Sequence, residues 1–573
     1  MISVSPAAEV PNLAIGHIIE VDGAHIVAEL ASSISELSRV YAGETYAIGQ
    51  FGSVVRMHYG RTILYGLVTR LRLKSEYEAE KGIRVAAAED ERIIEADLLG
   101  EGEWYLSEDG GEKSWKLRFD RGVTTFPLPQ QTLYLTPKRE LREIYGRGDG
   151  VAQIEIGTHV GSNSSPCFAD LNELLGKHSA ILGSTGAGKS ATVSALIHSI
   201  MEHGQRQNLE HWNPRIVILD PHNEYKAAFP ESSRLSTSDG SLNLPYWLLS
   251  LQETLDLLIG KTEFVATSQA NIVKTALLEA RRQGADALGL IKDDITVDSP
   301  VPYSIQKLYD LVANEASLIS AESKKDSHRS ILAKLDLLRQ DARLNFLMND
   351  WAESATDPFA EVIGVLIGGT IPVRVIDLSG VPNEVAGICS AVIARSLFNL
   401  KVWQSTGQRE RSPILLVCEE AHRYVPSSGE AQYEAAKDAI RRIAKEGRKY
   451  GLALMIVSQR PSEVEATVLS QCNTWIVLRI TNDRDREHVR GMLPDSTAGL
   501  VRTLSSLRRR EAIFVGQAAA LPSRILIRQL SEEQLPKSQD VDFDLAWQSP
   551  PLNDDDLLSV ASAWRYQRQA TNP

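Results

Sequence analysis

The stretch that most constrains this chain is GSTGAGKS, residues 183–190. It fits G-x-x-x-x-G-K-[ST], and its flanks supply the context that gives such a motif meaning. HSAILG, residues 178–183, reads as a short strand, and KSATVSALIHSIMEHG carries apolar residues at helical spacing to about Gly204. A strand, a glycine-rich turn and a helix in that order aim several backbone N–H groups at one phosphate chain. Gly183, Ser184, Thr185, Gly186, Ala187, Gly188, Lys189, Ser190 and Ala191 are therefore the expected nucleotide-binding residues, with ATP and Mg²⁺ as the expected ligands. Lys189 would place a point charge on the β- and γ-phosphates, Ser190 would offer its hydroxyl to Mg²⁺, and the helix N-terminus would add its dipole.

Such a loop needs acids on a neighbouring strand, one near the metal and one near the attacking water. LLVCEEAHRYVP, residues 415–426, supplies them: an apolar run ends in Glu419 and Glu420. Alone, two like charges at a strand end would read as a solvated edge. With the loop present, Glu419 is expected to hold the Mg²⁺ shell through water, and Glu420 to polarise the water that attacks the γ-phosphate. The metal and the cationic loop offset the repulsion between the two carboxylates. VSQRP, residues 457–461, places Gln459 at the end of the next strand, where it could hydrogen-bond the γ-phosphate or the water, or simply cap the strand. DPHNEY, residues 220–225, ends the strand after the loop's helix, so Asp220, His222 and Glu224 are expected on the nucleotide side, beyond the carboxyl ends of the strands. His222 has no partner at metal-ligand spacing and reads as a residue that positions its neighbours. AIRRIAKEGRKYG, residues 439–451, is a basic helix. A solvated face explains it, and so does an arginine completing a neighbouring subunit's site, since no cis arginine is evident. Arg442 and Arg448 are the candidates, and the sequence does not choose between them.

At 573 residues the chain exceeds one hydrophobic core. Its first 135 residues or so read as short strands broken by glycines, with Asp22-Gly23 as a hairpin signal, and predict a small barrel or sandwich. A charged, glycine-bearing stretch at 137–150 marks a boundary. Beyond it strands and helices alternate: RIVILD (215–220), PVRVIDLS (372–379), ILLVCEE (414–420), LALMIVSQ (452–459), TWIVLRI (474–480) and EAIFVG (511–516). The expectation is an N-terminal β-barrel over 1–140, a mostly parallel α/β core over 141–530 with a helical insertion at about 251–348, and an acidic tail over 531–573.

Lys and Arg number 61 against 74 Asp and Glu, a net charge of −13, so any nucleic-acid site must be local. Cys167, Cys389, Cys418 and Cys472 follow no metal or disulfide spacing. No uninterrupted apolar run reaches about 18 residues, and the N-terminus has no leader pattern. The expectation is a cytoplasmic chain with no membrane contact.

Taken together, ILGSTGAGKS, LDPHNEY, CEEAHRYVP, EGRKYGLALMIVSQRPSEV and CNTWIVLRITNDRDREHV resemble the HerA branch of the HerA–FtsK ATPases. The glutamate pair followed by Ala421-His422 is the more specific part of the match. The resemblance implies a RecA-like core behind a small barrel, a homo-hexameric ring, ATP hydrolysis by Lys189, Ser190, Glu420 and Gln459 with an arginine near 442–448 acting in trans, and DNA moving through a central channel. It further implies a partner nuclease, or in antiphage systems a nuclease or sirtuin-like effector. A translocase or helicase is the leading reading. A ring that organises an effector enzyme is the second. A conjugation-type coupling ATPase is the third, and no anchoring segment is visible for it. Candidates for channel contacts are Lys324, Lys325 and Arg329 in the insertion and Arg508–Arg510 near the end of the core.

Overall fold

The computed structural model describes residues 10–34, 36–82, 91–109, 112–146, 151–160, 165–259, 266–322, 325–352, 356–427, 434–494, 497–537 and 543–566. The chain forms two compact units. The first joins Met1–Gln207 to Gln459–Ser462 and Cys472–Leu530, and the second joins Asn208–Ser458 to Glu463–Gln471 and Ser531–Pro573.

Nine strands lie in the N-terminal region: β1 (Ala14–Asp22), β2 (His25–Leu30), β3 (Ser38–Tyr41), β4 (Glu44–Ala47), β5 (Val54–Tyr59), β6 (Thr62–Leu73), β7 (Arg92–Asp109), β8 (Glu112–Arg121) and β9 (Thr132–Leu135). Six of them, in the order β2-β1-β9-β5-β6-β7, pair antiparallel and close through β2–β7. Closure removes the unpaired edges that a small sheet would otherwise expose. Gly23, at φ +56°, makes the tight β1–β2 turn that the Asp-Gly pair predicts. Ile15, Ile18, Ile26, Val55, Leu64 and Ile94 fill the interior. Strand β8, absent from the sequence reading, extends the sheet from β7. In the stretch read as a boundary, a helix forms at Lys138–Tyr145 because Leu141, Ile144 and Tyr145 bury one face; residues 147–150 lie outside the described residues. Its Glu140 forms a buried ion pair with Arg56 of β5. Burial pushes the Glu140 carboxyl up to about 7 while the Arg56 guanidinium pulls it down.

Eleven further strands follow: β10 (Gln153–His159), β11 (Pro166–Asp170), β12 (Ser179–Leu182), β13 (Ile216–Asp220), β14 (Ser233–Ser236), β15 (Val373–Asp377), β16 (Ile414–Cys418), β17 (Leu452–Ser458), β18 (Thr474–Leu478), β19 (Glu511–Gly516) and β20 (Ser523–Ile527). In the first unit they run β11-β10-β20-β19-β18-β12. Only β12 and β18 are parallel there; the other four pairings are antiparallel. The second unit holds the parallel run β17-β16-β13-β15-β14. The parallel strands β12, β13, β15, β16 and β18 are buried at every residue, as strands covered on both faces must be. The antiparallel margin follows from connections too short for a crossover helix, as between β19 and β20.

The expected insertion consists of helices Leu251–Leu258, Ala266–Ala287, Ile305–Leu318, Asp326–Gln340 and Asn345–Met348. Among the described residues one helical segment, Val385–Trp403, is long and apolar enough to cross a membrane, and 78% of it is buried inside the protein.

Candidate nucleotide site

The phosphate loop lies in the first unit. Strand β12 ends at Leu182, and Gly183 follows in close contact: a Cβ there would stand 2.9 Å from Leu478 Cβ, so only glycine lets the loop leave beside β18. Ser184 N donates to the Arg479 carbonyl at 2.8 Å, and Thr481 N donates to Ser184 Oγ at 3.1 Å. The loop is thus pinned on the strand end while Thr185 and Gly186 stay exposed. Gly188, at φ +102°, is the N-cap of the helix Lys189–Arg206 and supplies no capping side chain. The helix therefore begins with N–H donors and a dipole aimed at whatever lies in the loop, an arrangement suited to anions. Lys189 is buried beside these donors. Gln459 meets the loop directly, accepting a hydrogen bond from Thr185 Oγ1.

The strand-end acids lie in the second unit. Asp220 ends β13 with no exposed surface and accepts backbone N–H groups of His222 at 3.2 Å and Tyr225 at 3.0 Å. Burial raises its pKa and these donors oppose the rise. The turn they hold places the Tyr225 hydroxyl 2.9 Å from Glu419 Oε2, to which it donates. Burial, then the nearby carboxylates, push the Tyr225 pKa well above the ordinary tyrosine value, so it remains a donor. Glu419 and Glu420 are 3% and 7% exposed. Glu420 sits at φ +52°, ψ +48°, a left-handed backbone that costs a residue with a side chain about 1–2 kcal/mol. That kink ends β16 and turns the Glu420 carboxylate towards His422, with Oε2 and Nδ1 3.2 Å apart; Ser458 Oγ lies 3.3 Å from the same nitrogen.

The structure thus brings Gln459 to the loop and joins Asp220 to Glu419 through Tyr225. His222 contributes a backbone N–H at this turn, and Glu224 accepts Lys537 N at 3.1 Å through its carbonyl. Arg442 and Arg448 share the helix Glu434–Tyr450. Arg442 lies 4.5 Å over the Phe398 ring and 3.8 Å from Glu446, and both Arg442 and Arg448 are exposed. In the insertion Lys325 and Arg329 both pair with Glu322, as an ordinary solvated helix face would; Lys324 lies outside the described residues.

Sequence reasoning did not select Tyr225, Asp377 or Thr481. Tyr225 stands inside the quoted DPHNEY, and Asp377 carries the strand-end acid signal that identified Asp220, which it faces in register. Thr481 had no signal beyond following a strand. Among the described residues no cluster of three or more His, Cys, Asp or Glu could hold a metal. Mg²⁺ needs no such cage: it binds through one or two protein oxygens, phosphate oxygens and water. The Ser190 hydroxyl in the first unit is an oxygen donor of that class, and so is the Glu419 carboxylate in the second.

Residues 154–397 match the family model described as Helicase HerA, central domain. The chain is 26% identical over 401 residues to "Probable helicase MJ1565" of Methanocaldococcus jannaschii, covering 70% of this chain and 71% of that protein. It is 28% identical over 425 residues to "DNA double-strand break repair helicase HerA" of Pyrococcus furiosus, covering 68% and 72%. Among solved structures, VirB4 of Thermoanaerobacter pseudethanolicus superposes with a TM-score of 0.46 at 18% identity, covering 67% of this chain and 98% of that one. The chain is thus similar to HerA-type helicases, through the central domain that the family model describes and over about 70% of its length by these relatives.

Proposed function

We propose that this chain assembles as a homo-hexameric ring and uses ATP hydrolysis to drive DNA through its central channel, in service of a nuclease or another effector, in DNA end processing or antiphage defence. One observation carries the reading furthest: a buried glutamate held in a strained backbone beside a second buried glutamate with a fixed hydrogen-bond donor. Such burial is costly and persists where chemistry uses it. In this reading the loop 183–191 binds the triphosphate, with Lys189 on its β- and γ-oxygens. Mg²⁺, when bound at Ser190 and the Glu419 water shell, neutralises charge on those oxygens. Glu420 accepts a proton from the attacking water, with His422 fixing its carboxylate. Gln459, already in contact with Thr185, reports the γ-phosphate to the loop. Asp220 and His222 hold the turn that orients Tyr225 and thereby Glu419. Arg448 and Arg442 are both exposed on this helix; Arg448 has the first claim to complete a neighbour's site, because Arg442 already contacts Phe398 and Glu446 within its own chain. The assembly works in the cytoplasm, away from membranes.

The deciding experiment is single-molecule movement on DNA by wild type and Glu420→Gln, with ATPase measured alongside. Movement by wild type alone supports a motor. Mixing Arg448→Ala with Glu420→Gln subunits should restore part of the turnover if Arg448 acts in trans; no rescue from two variants that both assemble speaks against it. The net charge of −13 keeps a second reading open, a ring that organises an effector without moving DNA. ATP turnover indifferent to DNA, with no movement, would favour it.

A further inference from the structure

Read as sequence, Arg508–Arg510 are candidates for a DNA channel or plain surface, and no cis arginine is evident. The strand arrangement places them elsewhere. β12 and β18 are parallel, so both end at the edge where the loop 183–190 begins. β19 runs antiparallel to β18, with Ala512 opposite Leu478. An antiparallel strand begins where its neighbour ends, so the residues just before Glu511 stand at the phosphate-loop edge. Distances agree with the topology. A Cβ on Gly188 would lie 3.8 Å from Leu478 Cδ2 and 3.9 Å from the backbone nitrogen of Arg510.

The arginine turn is rigidly mounted. Arg510 adopts φ +70° and donates from its guanidinium to the Ile527 carbonyl at 2.8 Å. Arg508 donates to the buried Glu511 carboxylate through N at 3.1 Å and Nε at 3.0 Å. Arg509 lies between them, exposed, with no hydrogen-bond or ion-pair partner among the described residues. Two anchored neighbours, one of them left-handed, hold Arg509 in a turn whose backbone stands beside Gly188, at the start of the helix Lys189–Arg206. Gln459 meets the loop at Thr185, three residues earlier. The arginine turn therefore meets a different part of the loop from Gln459.

We infer that Arg509 is a cis nucleotide-binding residue whose guanidinium takes the α-phosphate of the nucleotide held by residues 183–190. The inference rests on reading that loop as the nucleotide site. An α-phosphate is common to ATP, ADP and AMP, so the contact contributes to all three alike and is uniform through turnover.

The test uses the full-length chain and its Arg509→Ala variant. ADP and a non-hydrolysable ATP analogue should both bind about tenfold more weakly, the scale of a lost charge-assisted hydrogen bond. KM for ATP should rise by the same factor, with kcat within about twofold, the pattern of a contact equal in ground and transition states. Weakened binding of the analogue but not of ADP would place the charge at the γ-phosphate and overturn the inference. A fall in kcat at constant KM, or no change at all, would overturn it too. Arg509→Gln, read in the same way, replaces the alanine variant should that fail to fold. Lys189→Ala separates the two levels. If it binds nucleotide normally, the loop reading fails; if it does not, and Arg509→Ala is silent, only this inference fails.

Discussion

The phosphate loop of the first unit and the acid cluster of the second are built on opposite principles. The loop is made of backbone: Thr185 and Gly186 are exposed, glycine conformations shape the curve, and the helix behind it starts with no side-chain cap. The acid cluster is made of side chains: Asp220, Glu419 and Glu420 are buried, Tyr225 and the 220–225 turn hold the first two, and His422 faces the third. An anion that comes and goes is best met by donors left open until it arrives, since open N–H groups at a surface remain hydrated at little cost. A proton acceptor must already stand in position, and its desolvation has to be offset by neighbouring donors.

That contrast predicts different failures. Glu420→Gln should lower kcat by about 10²–10³-fold with nucleotide affinity intact, the scale of a lost general base. Turnover at the wild-type rate would remove Glu420 from catalysis. Lys189→Ala should weaken ATP binding by about a hundredfold, as expected for a lost contact between a buried ammonium and phosphate. Tight binding by that variant would break the distinction between the loop and the acid cluster. Tyr225→Phe removes one donor to Glu419 and should lower kcat up to about tenfold, the value of one hydrogen bond to a charged group. Affinity measured without Mg²⁺ should stay unchanged; a loss there would mean Tyr225 supports the loop rather than the acid. The smallest effect concerns strain. Glu420→Gly should be more stable than Glu420→Ala by about 1 kcal/mol, because glycine adopts the left-handed backbone without penalty. Equal denaturant midpoints for the two variants would show that no strain is stored at this position.

Much of this was legible in the sequence because the signals are local. Gly183–Ser190 declare a loop through spacing alone, and the unbroken runs at 215–220 and 414–420 declare buried parallel strands. Less local features escaped. Strands β8, β10, β11, β14 and β20 have mixed polarity, being at margins or half solvated, and their patterns do not stand out from loop. Asp377 carried the same signal as Asp220, but its relation to it exists only across the β13–β15 pairing.

The arginines illustrate the limit most clearly. LRRRE has the same composition in a channel, on a surface or beside a phosphate; strand direction decides among them, and direction is fixed by pairing partners 35 or so positions apart in the chain, as between Leu478 and Ala512. The sequence by itself pointed to the kind of molecule, to the glycine-rich loop and to the strand-end acids, because each follows from residues adjacent in the chain. Only the tertiary structure decided the left-handed kink at Glu420, the tyrosine that holds Glu419, the placement of Arg508–Arg510 at the loop edge and the closure of the barrel. Each of these depends on burial and on hydrogen bonds between residues far apart in sequence, for which no local pattern of residue types is sufficient.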